Sequence, residues 1–171
     1  MHPRRTYDYL CRSRARVLDA VRTLTPDQHA RAFPIGPGSI QKTLTHLLVA
    51  EWYYIERMAQ REVAPYDTWA IRDETVLDFA ALEAAWAAQA DTTRAAMAAV
   101  RDWDATFEYR VTDDAGTDVI VTCSAMDLCT QLALHEVHHR AQVLQMLRQM
   151  GVTIAGGDLD FNAMMMPRRP A

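Results

Sequence analysis

Apolar side chains recur at steps of three and four residues over four long stretches of this chain, and each stretch is bounded by residues that start or stop a helix. The first runs from Thr6 to Leu24 with Leu10, Val17, Leu18, Val21 and Leu24 on its apolar face and Thr6 placed as N-cap. Thr25-Pro26-Asp27 closes it and starts a short helical turn, and Pro34-Ile35-Gly36-Pro37-Gly38 then breaks the chain. Ser39 is positioned to cap a second helix from Ile40 to Arg61, carrying Leu44, Leu47, Leu48, Ile55 and Met58. A loop from Glu62 to Glu74 with Pro65, Tyr66 and Trp69 follows. Thr75, with Asp78 three residues on, resembles a capping box for a third helix that continues through Phe79, Leu82, Trp86, Met97 and Val100 to Arg101.

The period then changes from about 3.6 to 2. Phe107–Val111 and Val119–Cys123 are two β-prone runs around Asp113-Asp114-Ala115-Gly116-Thr117, the pattern of a small hairpin. Ser124 caps a fourth helix from Ala125 to Met150, stopped by Gly151. Four amphipathic helices of this length predict an all-α protein: a four-helix bundle spanning residues 1–171 as a single domain, with the hairpin inserted before the last helix.

The fourth helix holds an unusual run, His135-Glu136-Val137-His138-His139-Arg140-Ala141-Gln142, with three of the chain's six histidines in five positions. His135 and His139 lie about one turn apart and project from the same face, where one metal ion can bridge them. The stripe through Leu128, Leu132, Met146 and Met150 also passes through His135, His139 and Gln142, while His138 falls to its side. Two imidazoles buried there without partners would cost free energy, which favours a shared ligand. His46 in the second helix, beside Thr43, Ala50 and Tyr53, is the third donor that a bundle can bring to the pair. Three neutral imidazoles leave a coordination position open, as catalytic sites do and closed structural zinc sites do not. Such a donor set suits zinc or nickel, and cobalt or iron as well.

Composition narrows the partners. Half of the 171 residues are apolar, under a quarter are charged, and the formal charge is −4, so nothing attracts a phosphate backbone and nucleic acid is not an expected partner. No apolar run approaches a membrane span, and the amino terminus has no apolar signal core, which makes the cytoplasm the expected location. Cys11, Cys123 and Cys129 are odd in number and have no C-x-x-C spacing, so they indicate neither a disulfide framework nor a zinc knuckle, and Cys11 and Cys129 read as helix-packing residues.

Gly38-Ser39-Ile40-Gln41-Lys42-Thr43-Leu44-Thr45-His46-Leu47, His135-x-x-x-His139-Arg140-x-Gln142 and Met146-Leu147-Arg148-x-x-Gly151 together resemble the DinB/YfiT-like superfamily, with similarity extending to the Asp158-Leu159-Asp160-Phe161 stretch. The resemblance implies an antiparallel four-helix bundle, commonly a homodimer, with a divalent metal held by three histidines that map onto His46, His135 and His139. Some relatives are thiol S-transferases or isomerases using low-molecular-weight thiols, and many have no assigned reaction. The family usually has Gly where this chain has Ala141, a change that keeps a small residue.

These observations carry a reading as a metal-dependent thiol S-transferase acting on small electrophiles, with Tyr53 and Gln142 lining the site and Glu51 orienting a ligand imidazole. No catalytic side chain is singled out. Two alternatives stand beside it. His135-Glu136-Val137-His138-His139 spells H-E-x-x-H, in which Glu136 would be the base of a zinc hydrolase and Asp158 or Asp160 the third ligand. The other is a protein that binds metal or a small molecule without turnover.

Overall fold

The computed structural model describes residues 2–112, 115–156 and 159–167. Its elements are α1 (Pro3–Val21), α2 (Pro26–Ala30), α3 (Ile40–Met58), α4 (Phe79–Ala99), β1 (Thr106–Thr112), β2 (Asp118–Ser124), α5 (Ala125–Gln149) and α6 (Phe161–Met165), with one turn of 3-10 helix at Tyr66–Thr68. The four long helices form the expected bundle, and the hairpin precedes α5.

Most helix ends follow from local chemistry. Ser39 and Ser124 cap α3 and α5 through Lys42 and Asp127 backbone N–H groups, and Asp127 completes a capping box at α5. Thr25 and Gln28 make a second box that fixes α2. Gly151, at φ +73°, closes α5 in a Schellman arrangement in which the Val152 N–H donates to Leu147 and the Gly151 N–H to Arg148.

Two starts differ from expectation. α1 begins at Pro3 with His2 as cap, because proline fits the first helical position, and Thr6 lies inside the helix with its hydroxyl on the His2 carbonyl. α4 begins at Phe79, not Thr75. The Leu77 carbonyl accepts from Gln41 Nε2, Thr75 Oγ1 accepts from the Arg72 N–H, and Asp78 takes the cap by accepting from the Ala81 N–H.

The packing partners give the helix directions. The start of α3 (Leu44, Leu47) meets the end of α5 (Val143, Met146, Leu147), and the end of α3 (Ile55, Met58) meets the start of α5 (Leu128, Leu132), so the pair is antiparallel. α1 and α4 are antiparallel as well, with Arg22 paired to Glu83 at one end and Arg94 over the Tyr7 ring at the other. α3 and α4 run in the same direction, with Gln41 beside Leu77 and Glu51 beside Thr93. The connection between them, residues 59–78, therefore travels back along the bundle, and this return places a loop beside the middle of α3.

β1 and β2 pair antiparallel from Thr106 opposite Ser124 to Thr112 opposite Asp118. Asp113 and Asp114 of the expected turn, and Asp158, lie outside the described residues. Among the described residues no helix is long and apolar enough to cross a membrane.

The central stripe of α5 is Leu128, Leu132, Glu136, Arg140, Val143 and Leu147, all buried. It passes one step beside the histidine column, so His135, His139 and Gln142 sit half-buried at the edge of the core instead of in its middle. The charges of Glu136 and Arg140 occupy core positions that a purely apolar stripe assigns elsewhere.

Candidate metal centre

His46 leaves α3 toward α5, and His135 and His139 leave α5 toward α3. Their ring centroids lie 5.0 Å (His46–His135), 4.7 Å (His46–His139) and 4.5 Å (His135–His139) apart. One ring nitrogen from each falls within 4.8 Å of the others, a group that could hold a metal ion.

Two of the three rings are oriented by a neighbour. Both oxygens of Asp73 lie 3.1 Å from His46 Nδ1, and Gln142 Oε1 lies 2.8 Å from His139 Nδ1. An Nδ1–H donated to an oxygen leaves Nε2 as the lone-pair nitrogen, the tautomer a metal ligand needs. Gln142 is itself held, because its amide nitrogen donates to His138 Nε2 at 3.0 Å. Gly36, at φ +50°, closes over it: a Cβ there would come 2.0 Å from Gln142 Oε1.

Burial disfavours the charged form of two of the rings. Burial, reinforced by the other histidines, drives the His135 pKa from 6.5 to about 4, and burial lowers that of His139. His46 Nε2 and His135 Nε2 approach to 3.1 Å, an arrangement in which two lone pairs repel unless a proton or a cation lies between them. The donor set thus fits a divalent cation, with an all-imidazole character that suits zinc, nickel, cobalt or iron.

The other expected site residues divide. Gln142 is in place. Tyr53 lies one ring removed: Tyr54, 6.1 Å from His135 between centroids, adjoins the imidazoles, and Tyr53 packs between Tyr54 and Trp69. Glu51 has a different partnership from the one expected. It is fully buried, accepts from Tyr7 at 2.6 Å, Thr93 at 2.7 Å and Arg14 at 2.5 Å, and orients no imidazole. Five residues beyond His46 on an ideal helix, it points about 140° away.

Asp73 does what Glu51 was expected to do. It arrives on the returning connection, where its N–H donates to Tyr66 Oη and Trp69 packs edge-on against Trp52. A loop without period offers no sequence signal for that role.

Glu136 is withdrawn from the imidazoles. It is 2 % exposed and ion-paired to Arg14, with Arg140 Nη1 3.5 Å from its second oxygen, so the H-E-x-x-H base is committed to the core. Asp160 caps α6 by accepting from the Ala163 N–H. The histidine pair finds its third member on another helix, which is not the arrangement of that hydrolase motif.

No curated protein matches the chain. The sequence profile of the DinB family, in contrast, matches residues 2–169, a span that takes in all four long helices and the three histidines, and the chain belongs to the DinB family.

Proposed function

We propose that His46, His135 and His139 hold one divalent cation and that the protein is a metal-dependent transferase joining a low-molecular-weight thiol to a small electrophile. In that reaction a sulfur–carbon bond forms, the bond from carbon to its leaving group breaks with the electron pair going to the leaving group, and the thiol proton passes to solvent. The cation supplies positive charge that favours the thiolate over the thiol. Asp73 and Gln142 hold two imidazoles in the ligating tautomer, and Tyr54 provides an apolar wall beside His135.

The observation that carries this reading is the convergence of three half-buried imidazoles from two facing helices, with Glu136 of the H-E-x-x-H run withdrawn into the core by its ion pair to Arg14. The exposed Leu134 and Val137 on the outer side of α5 support a homodimer as the working state.

The test is metal analysis of the purified protein and its His46→Ala variant, followed by incubation of the metal-loaded chain with a panel of thiols and monochlorobimane. The expected outcome is one equivalent of metal lost with His46 and a metal-dependent conjugate with at least one thiol. Metal retained without His46 refutes the site. Metal bound with no conjugate from any thiol leaves a binding protein and refutes the transferase.

A further inference from the structure

The face of α3 that presents His46 ends in a cation that has no counter-ion among the described residues. Arg57 lies eleven residues beyond His46, which on an ideal helix is about 16 Å along the axis and about 20° around it. It is 8 % exposed, and its Nε has no hydrogen-bond partner. Its recorded hydrogen bond runs from Nη2 to the Arg110 carbonyl at 3.5 Å, the outer limit of such a contact. Its guanidinium carbon lies over two rings, 5.0 Å from the Tyr53 centroid and 4.5 Å from that of Tyr109 on β1.

Cation–π attraction to the two rings offsets part of the cost of burying the charge but leaves the Nε–H without an acceptor. A role as a strut between α3 and the hairpin would need only the aliphatic stem and the faces. A buried charge with an unfilled donor edge calls for an anion. The side chain also turns back over Tyr53, one turn toward the start of α3, and so toward His46. Tyr54 lies 5.7 Å from Tyr53 and 6.1 Å from His135, which makes a continuous aromatic track from the imidazoles to the guanidinium.

We propose that Arg57 binds the carboxylate of the thiol cosubstrate, with the body of the thiol lying along Tyr54 and Tyr53 and its sulfur at the three histidines. The inference rests on the transferase reading and narrows it: the cosubstrate is a thiol carrying a carboxylate at roughly tripeptide distance, about 10 Å for three extended residues. A planar carboxylate matches the two-pronged edge of a guanidinium better than a hydroxyl or an amide does.

The carboxylate site is tested without thiol chemistry. S-methylglutathione keeps the carboxylates and has no free thiol, and its binding to the metal-loaded full chain is read by the fluorescence of Trp52 and Trp69 beside Tyr53. The acid is expected to bind at least tenfold tighter than its diethyl ester, and Arg57→Met, with unchanged helical circular dichroism, is expected to abolish that preference. Should the Met variant not fold, Arg57→Gln, which keeps a polar end, takes its place. Equal affinity for acid and ester, or a preference that survives loss of the guanidinium, overturns the proposal.

A second arm adds glutathione to the cobalt-loaded chain and looks for the sulfur-to-cobalt absorption band. Acid preference without the band keeps the Arg57 carboxylate site but overturns the placement of sulfur at the histidines, and with it the transferase reading. The band without acid preference keeps the transferase reading and overturns Arg57.

Discussion

The chemistry of the centre turns on which nitrogen of each imidazole is free, and two residues set this. Asp73 is the sharper case, because its carboxylate is 3.1 Å from His46 Nδ1 through both oxygens and comes from a loop 27 residues away. Removing it frees the ring to rotate and lowers the basicity of the ligating nitrogen. Asp73→Ala should therefore weaken metal binding by about 10–100-fold, as measured by competition with a chromophoric chelator. His138→Ala, which removes only the far support of Gln142, should lie within a few-fold of wild type; an Asp73 variant no weaker than that would refute the orienting role. The histidines themselves were legible in the sequence because helical spacing is periodic: i, i+4 on α5 and a single imidazole on the facing helix. Asp73 was not, since its approach depends on the path of a loop. Glu51 was misassigned for a related reason, as nearness in sequence to His46 says nothing about the face on which a helix presents it.

At the level of elements, the helices were legible wherever a cap residue preceded a periodic stretch, as at Ser39 and Ser124. Their ends drifted where a tertiary hydrogen bond, such as Gln41 to Leu77, held the chain extended. One end carries stored strain. α3 closes with the same pair of bonds as α5, Arg61 N–H to Glu56 and Gln60 N–H to Arg57, yet its left-handed residue is Gln60, at φ +54°, where α5 uses glycine. Gln60→Gly should raise stability by about 0.5–1 kcal/mol, the steric cost of the left-handed conformation less the chain entropy of glycine. A urea midpoint that rises at constant m-value would show it, and a midpoint that falls would exclude strain at this cap.

Another element gives a pH dependence. His29 of α2 is buried edge-on against Phe79 at the start of α4, its Nε2 has no partner, and burial lowers its pKa below 6.5. The folded state thus binds fewer protons than the unfolded state once pH drops below about 6.5, and stability falls from there downward while staying level above it. In His29→Leu, the loss of melting temperature between pH 7.5 and pH 5.5 should be smaller than in wild type. An identical loss would assign the acid sensitivity to other groups.

Across the whole molecule, what ties the bundle together beneath the three histidines is a charged knot. Arg14 of α1 pairs with Glu51 of α3 and Glu136 of α5, Thr93 of α4 donates to Glu51, and the Trp86 ring of α4 lies 3.7 Å from the Arg14 guanidinium. Arg140 adds Ser13 and Tyr9 of α1. The knot therefore touches every long helix, and it holds α3 and α5 in the register that brings His46 opposite His135 and His139. Of its members, the sequence pointed to Glu51 as a partner of an imidazole and to Glu136 as a hydrolytic base, because a hydrophobic pattern has no symbol for a buried ion pair. The two glutamates raise the pKa of Arg14 and keep it charged against the effect of burial, so its removal leaves two carboxylates facing one another in the core. Arg14→Met should cost about 3–5 kcal/mol in chemical denaturation, the range for breaking a buried pair from one side. Replacing Glu51 and Glu136 by Gln in the same chain should recover part of that loss, since no uncompensated charge then remains. If the triple variant is no more stable than Arg14→Met alone, the cost lies in lost packing on Trp86 and not in stranded charge. If Arg14→Met is nearly neutral, the knot does not set the register of the bundle.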